Sequence, residues 1–190
     1  MAKLLLAASV AVSLPLAGAS SAWAASAPRV QFKTSKGDFV VELDPTHAPK
    51  TVANFLGYVK SGQYNGTIFH RVIPGFMIQG GGFDPKLSEK STRAPIPLES
   101  NNGLRNVSGS IAMARTSDPD SATAQFFINT VDNANLDYPS FDGHGYAVFG
   151  HVVSGMDTVK KIEASRTGSQ GGMSDVPVEP VVINSATLSR

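Results

Sequence analysis

Cysteine is absent from the 190-residue chain, and its one tryptophan, Trp23, lies within the first two dozen residues. The lack of cysteine excludes thiol nucleophiles, disulfide frameworks and cysteine-ligated zinc. Long apolar runs are also missing. The most extended, Leu4 to Leu16, falls short of the about 20 residues that a membrane-spanning helix needs. It stands in "MAKLLLAASVAVSLPLAGASSAWA", with Lys3 before it and Ala22-Trp23-Ala24 after it, the layout of a cleavable secretory signal. Residues 1–24 are therefore expected to be removed, leaving residues 25–190 as a single domain that begins at Ala25. An excess of either charge is lacking too, with 16 basic residues against 15 acidic ones. No basic stripe argues for nucleic acid, and no further apolar run argues for a membrane once the signal is gone. The four histidines, at 47, 70, 144 and 151, show no metal-ligand spacing, so no metal site is expected.

What is present is a succession of short periodic segments. In "VQFKTSKGDFVVEL" (30–43), Val30 and Phe32, then Phe39, Val41 and Leu43, alternate around a Ser-Lys-Gly turn, which predicts a hairpin. In residues 46–62 the period changes. Val52, Phe55, Leu56 and Val59 form the stripe of an amphipathic helix, with Pro49 in its first turn and Gly62 at its exit. Strands are predicted at 67–73, 76–79, 110–114, 125–130 and 146–153, a shorter helix at 154–165 and a closing strand at 178–188. The turn-rich stretches 82–105 and 131–145 read as surface loops. Many short strands with only two helices point to a closed β-barrel.

The usual enzyme signatures do not occur. There is no Gly-x-Ser-x-Gly elbow, no His-Glu-x-x-His and no phosphate loop. Gly80-Gly81-Gly82 lacks the lysine and helix of such a loop, and reads as a strand end where backbone passes closely. Asn106-Val107-Ser108 matches a glycosylation sequon, a pattern short enough to arise by chance. Within "FHRVIPGFMIQGG" (69–81), Arg71 stands in an otherwise apolar run. Taken alone, it reads as a surface strand residue whose stem covers its neighbours. Phe76, Met77, Phe127 and Leu136 read as core, and His70 as a packed, hydrogen-bonded ring.

"FHRVIPGFMIQGG", with "GSIAMAR" (109–115), "AQFFINT" (124–130) and "GYAVFGHVV" (145–153) in that order, resembles the cyclophilin family of peptidyl-prolyl cis-trans isomerases. "NNGLRN" (101–106) and the Ala-Arg-Thr after Met113 are similar to its bacterial exported group. The resemblance implies an eight-stranded antiparallel β-barrel capped by two α-helices. It also implies a monomer that speeds Xaa-Pro isomerisation in proline-containing segments of exported proteins in the periplasm, without a cofactor. Arg71 matches the catalytic arginine, His70 the histidine beside it, and Gln79 the residue that holds the arginine. Phe76, Met77, Phe127 and Leu136 match the walls of the proline pocket. Ala114 and Arg115 match the stretch whose backbone pairs with the peptide, and Tyr146 stands where many members carry a rim histidine. Asn135 stands in the place of the family's rim tryptophan, which implies weak cyclosporin binding. Two other classes compete: a cyclophilin-like module that holds proline peptides without turnover, and a secreted hydrolase, for which no nucleophile–base pattern exists.

Overall fold

In the computed structural model, which describes residues 27–189, the hairpin forms as its alternation requires. Strands β1 (Arg29–Thr34) and β2 (Gly37–Leu43) pair antiparallel with Phe32 opposite Phe39, and the two rings stack at 4.8 Å. Helix α1 (Pro49–Lys60) follows, burying Thr51, Val52, Phe55, Tyr58 and Val59. No acidic residue lies in its first turn. The Glu99 carboxylate, far along the chain, accepts instead from the Lys50 and Thr51 amides at 3.1 and 2.8 Å and from the Thr51 hydroxyl at 2.7 Å. That contact satisfies orphan amides and places a negative charge at the positive end of the helix dipole.

The remaining strands are β3 (Thr67–Ile73), β4 (Met77–Gly80), β5 (Ser110–Met113), β6 (Phe126–Asn129) and β7 (Val148–Ser154). Helix α2 (Met156–Glu163) comes next, then β8 (Thr167–Gln170), β9 (Met173–Pro177) and β10 (Val182–Ser189). Eight strands close an antiparallel barrel in the order β1-β10-β3-β4-β6-β5-β7-β2. The expected mainly-β architecture with two helices is thus present. The signal-like segment lies outside the described residues.

The β8–β9 hairpin was not legible in the sequence. "TGSQGGMSDVP" lacks alternating apolar residues, and what folds it back is a Gly171-Gly172 turn with φ of +59° and +81°. The apolar end of β9, Val176 and Pro177, is buried. The loop 131–145 holds one 3-10 turn at Ala134–Leu136. The triple glycine behaves as expected. A Cβ on Gly80 would lie 2.9 Å from the Phe69 ring, and one on Gly82 would lie 2.6 Å from the Gln125 side chain.

Strand alternation sorts the apolar residues into two bodies. Phe32, Phe39, Phe69, Val72, Ile78, Ile111, Met113, Phe126, Ile128 and Phe149 fill the barrel together with Phe55 of α1. The opposite faces of β4, β5, β6 and β7 carry Met77, Ala112, Phe127 and Val148, which gather with Leu136 into a separate cluster on the outside. Phe76, Ala114 and Tyr146 pack against that second cluster. An apolar surface outside an already filled barrel is where a site can form.

Candidate active site

Strict alternation along β3 would place Phe69 and Arg71 on the same face. The pairing with β4 prevents this. Phe69 lies opposite Gly80, Arg71 opposite Gln79 and Val72 opposite Ile78, so β3 advances two residues where β4 advances one. His70 is the extra residue of a β-bulge. Phe69 and Val72 both point into the barrel core, while Arg71 emerges on the outer face beside Gln79 and is exposed. The arginine therefore lies in an apolar run without being buried in it.

Arg71, Phe76, Met77, Gln79, Ala114, Arg115, Phe127, Leu136 and Tyr146 line one concavity of about 420 Å³ that opens to solvent. Nine of the ten residues expected at the site thus meet there; His70 alone lies outside the lining. Phe127 and Tyr146 meet edge to face at 5.6 Å. The apolar walls are supplied by Phe76, Met77, Phe127 and Leu136, with the cationic head of Arg71 at one side. The guanidinium makes no hydrogen bond or ion pair to another described residue. The Gln79 amide donates through Nε2 to Gln125 Oε1 at 3.0 Å, and Gln79 Oε1, on the strand pair that carries Arg71, accepts from no donor among the described residues.

Arg115 is a different kind of residue. Its side chain is 2% exposed and pairs with Asp142 through Nη2. Nε and Nη2 also donate to the Gly145 carbonyl at 3.0 and 2.8 Å, and the guanidinium lies 4.6 Å from the Tyr146 ring centre. This hydrogen-bonded guanidinium, joined by the His144 and Gly145 amides, holds the Asp142 carboxyl well below the usual carboxylate range. The side chain pins the loop that carries the Tyr146 wall. The Ala114 amide is taken by the Gln125 carbonyl at 3.0 Å.

Two sets of residues that sequence reasoning did not assign hold the other walls. Asn133 Nδ2 donates to the Phe76 carbonyl at 2.9 Å and to Asn129 Oδ1 at 2.7 Å. Asn129 Nδ2 in turn donates to Asn106 Oδ1 at 3.1 Å and Ser110 Oγ at 2.8 Å. Asn106 is 1% exposed and also donates to Asp137, so the sequon asparagine is committed to the interior. Gln125 is the second omission. It lies in a motif quoted for the resemblance, but only the folded register brings it to Gln79. In the β3–β4 turn, the Gly75 amide donates to Glu163 Oε1 of α2 at 2.8 Å.

His70 is buried, 4% exposed, its ring 4.7 Å from that of Phe83. Nδ1 has no hydrogen-bond partner among the described residues. Burial, and then the neighbouring Arg71 guanidinium, push its pKa down from 6.5 to about 4. The ring is neutral at neutral pH, and Arg71 is the cation beside it. No group of three or more His, Asp or Glu residues placed to hold a metal is found among the described residues.

With this geometry established, comparison with known proteins is specific. The family profile described as "Cyclophilin type peptidyl-prolyl cis-trans isomerase/CLD" matches residues 29–188. A peptidyl-prolyl cis-trans isomerase of Streptomyces antibioticus is 60% identical over 84% of this chain and 97% of its own. Peptidyl-prolyl cis-trans isomerase B of Escherichia coli is 56% identical over 85% and 99%, and isomerase A of Dickeya dadantii is 52% identical over the full length of both chains. A crystal structure of a Cryptosporidium parvum cyclophilin type isomerase superposes with a TM-score of 0.74 at 28% identity, covering 86% of this chain and 98% of that one. A second structure of it, in the presence of the dipeptide Ala-Pro, gives 0.73 at 28% identity, covering 85% and 99%.

The depressed His70 pKa has a consequence for stability. The unfolded chain takes up this proton near pH 6.5, whereas the folded chain does so only near 4. The stability that neutral His70 confers is therefore complete above about 6.5 and is lost as pH falls toward 4. Between pH 7 and 4.5, wild type is expected to lose about 2 kcal/mol more than His70→Gln. Urea unfolding of both proteins at the two pH values checks this, and equal losses would refute it.

Proposed function

The chain belongs to the cyclophilin-type peptidyl-prolyl cis-trans isomerases, and from that membership and the pocket's geometry we propose that Arg71 carries the catalysis, acting on prolines in exported proteins. The observation that supports this most is the bulge-directed guanidinium, unpaired among the described residues, at the side of an apolar concavity. The related Cryptosporidium parvum structure determined in the presence of the dipeptide Ala-Pro accords with a proline-containing ligand.

The barrier to peptide rotation, about 18–20 kcal/mol, comes from sharing of the nitrogen lone pair with the carbonyl. No bond must break to lower it. In the twisted state the prolyl nitrogen regains its lone pair and can accept a hydrogen bond that the planar ground state barely accepts. A guanidinium aimed at that nitrogen binds the transition state in preference to the substrate. Arginine stays charged at any working pH and offers a fork of donors. One branch faces the nitrogen, and the free Gln79 Oε1 is the acceptor for another. Apolar walls lower the local dielectric and strengthen the contact. Phe76, Met77, Phe127 and Leu136 hold the proline ring while the preceding residue turns. An acceleration of about five decades requires about 7 kcal/mol, so the pocket's grip on proline must add to the one charged bond.

A non-catalytic proline-binding module would share the apolar walls but not need the charge. Arg71→Ala is expected to lower the catalytic constant by two or more decades, or about 3 kcal/mol, while peptide affinity falls far less. Arg71→Lys is expected to be poor as well, because an ammonium cannot bridge Gln79 and substrate with a planar fork. Melting temperature should barely move, since Arg71 is exposed. Exchange NMR on an Ala-Pro peptide, with titration and melting curves for all three proteins, checks this. Wild-type turnover in Arg71→Ala would sink the mechanism.

The periplasm is the proposed site of action, with residues 1–24 removed as a signal and the mature protein a monomer. The similarity to the Dickeya dadantii isomerase runs through this leader-like segment. The protein isolated from its host envelope is expected to begin at Ala25, as read by N-terminal sequencing; a retained Met1 would indicate an anchor. Cyclosporin is expected to inhibit weakly, because exposed Asn135 offers no indole at the rim. Asn135→Trp should bind the drug more tightly, measured by calorimetry. Tight binding by the unmodified protein would contradict the role given to that position.

A further inference from the structure

The loop between the 3-10 turn and β7 is pinned at its base and along its length, yet bare at its tip. The Tyr146 amide donates to the Leu136 carbonyl at 3.0 Å, so two pocket walls close the loop's base. Asp137 accepts from Arg105 and Asn106, Ser140 Oγ donates to the Asn135 carbonyl, and Asp142 pairs with Arg115. Between these anchors stand Tyr138, 48% exposed, and Phe141, 80% exposed, the highest value for any large apolar side chain among the described residues. Rings this exposed contribute little to the fold and remain open to a partner.

We propose that Phe141 and Tyr138, on the loop that the pocket walls Leu136 and Tyr146 close, form an outer apolar subsite that takes an apolar side chain of the same extended client segment. The proposal rests on the isomerase reading of the pocket and adds to it the class of segment preferred. Their place on the loop whose ends are the pocket walls Leu136 and Tyr146 identifies the occupant. Tyr138 lies two residues beyond Leu136, and Phe141 directly precedes Asp142, whose carboxylate is held by pocket-lining Arg115. An extended chain advances about 3.3 Å per residue, so side chains a few residues from the bound proline pass beyond the pocket rim. Unfolded segments display the apolar residues that folding later buries. The Asp142 charge is compensated by Arg115, so the rings do not sit beside a bare carboxylate. Aromatic rings with two side-chain torsions bind such partners at low entropic cost.

The test compares wild type, Phe141→Ser and Tyr138→Ser on two kinds of substrate. One is a tetrapeptide with a single proline, which fills the pocket alone. The other is a set of dodecapeptides with one leucine moved through the positions on both sides of the proline. The tetrapeptide's kcat and KM, and the melting temperature, are expected to be unchanged in both variants. For one leucine register, the wild-type KM should lie about tenfold below that of the leucine-free dodecapeptide. Phe141→Ser should abolish that advantage at unchanged kcat. An absent leucine preference would overturn the proposal. So would equal impairment on the tetrapeptide, which would make the rings supports of the pocket wall. Concentration-dependent self-association that disappears in Phe141→Ser would assign the patch to a second copy of the chain and also overturn it. If wild type failed to turn over the tetrapeptide, the isomerase reading itself would fall. The leucine scan read as calorimetric affinity would then still decide the subsite.

Discussion

One extra residue in strand β3 sets the arrangement of the whole site. Side chains of a strand alternate between faces, and a slip of one residue exchanges them. By inserting His70 between Phe69 and Arg71, the β3–β4 pairing keeps Phe69 and Val72 inside the barrel and sends Arg71 outside. The sheet around it makes this productive. Met77 and Gln79 of β4 and Phe127 of β6 already face outward, so the redirected arginine arrives beside an apolar cluster and an amide. The cost is visible at His70 itself, a buried imidazole whose Nδ1 has no partner among the described residues. Burying such an atom is tolerated only where the surrounding packing over-determines it.

The barrel supplies rigidity on one side of the pocket, and buried polar contacts supply it on the other. Leu136 and Tyr146 belong to a loop with little regular structure, which hydrophobic packing alone would leave loosely placed. The asparagines 106, 129 and 133 form a satisfied interior chain that reaches the Phe76 carbonyl, and Asp137 extends it into the loop. Arg115 performs the same service from below through Asp142 and Gly145. Satisfied buried networks specify one geometry more strongly than apolar contacts of similar size, because each broken bond leaves an unpaired group in a low dielectric.

The sequence made legible what depends on neighbours in the chain. The β1–β2 hairpin, the α1 stripe of Val52, Phe55 and Val59, and most barrel strands follow from local periodicity. The four motifs carry every pocket residue except Leu136, which stands in the 131–145 loop. What it concealed depends on partners far apart. Glu99 caps α1 from a turn-rich stretch with no helical signal. Gln125 acquires its link to Gln79 only when β4 and β6 align. Arg115, read as a backbone contact, has a side chain whose work is decided by a loop some thirty residues on. The β8–β9 hairpin has turn glycines but no apolar alternation. The bulge is the clearest case. "FHRVI" carries every residue of it, yet a bulge is a property of a pairing, and one strand alone cannot reveal it.

The two features of the bulge, a redirected arginine and a buried histidine, bear on each other electrostatically. A charged imidazole beside the guanidinium would repel it and draw solvent into the barrel wall. Burial removes that charge throughout the neutral range, with the His70 pKa near 4. Arg115, the other cation of the lining, is compensated by Asp142. Among the described residues, one uncompensated positive head, that of Arg71, therefore faces the apolar concavity. The proposed reaction asks for that distribution. Both planar isomers of the substrate are neutral and present no strong acceptor at nitrogen, and the twisted state alone presents one. A second free cation would bind the peptide carbonyls of ground and transition states alike and contribute nothing to rate. Selectivity for the twisted state thus depends on where the single charge lies and on the neutrality of what surrounds it.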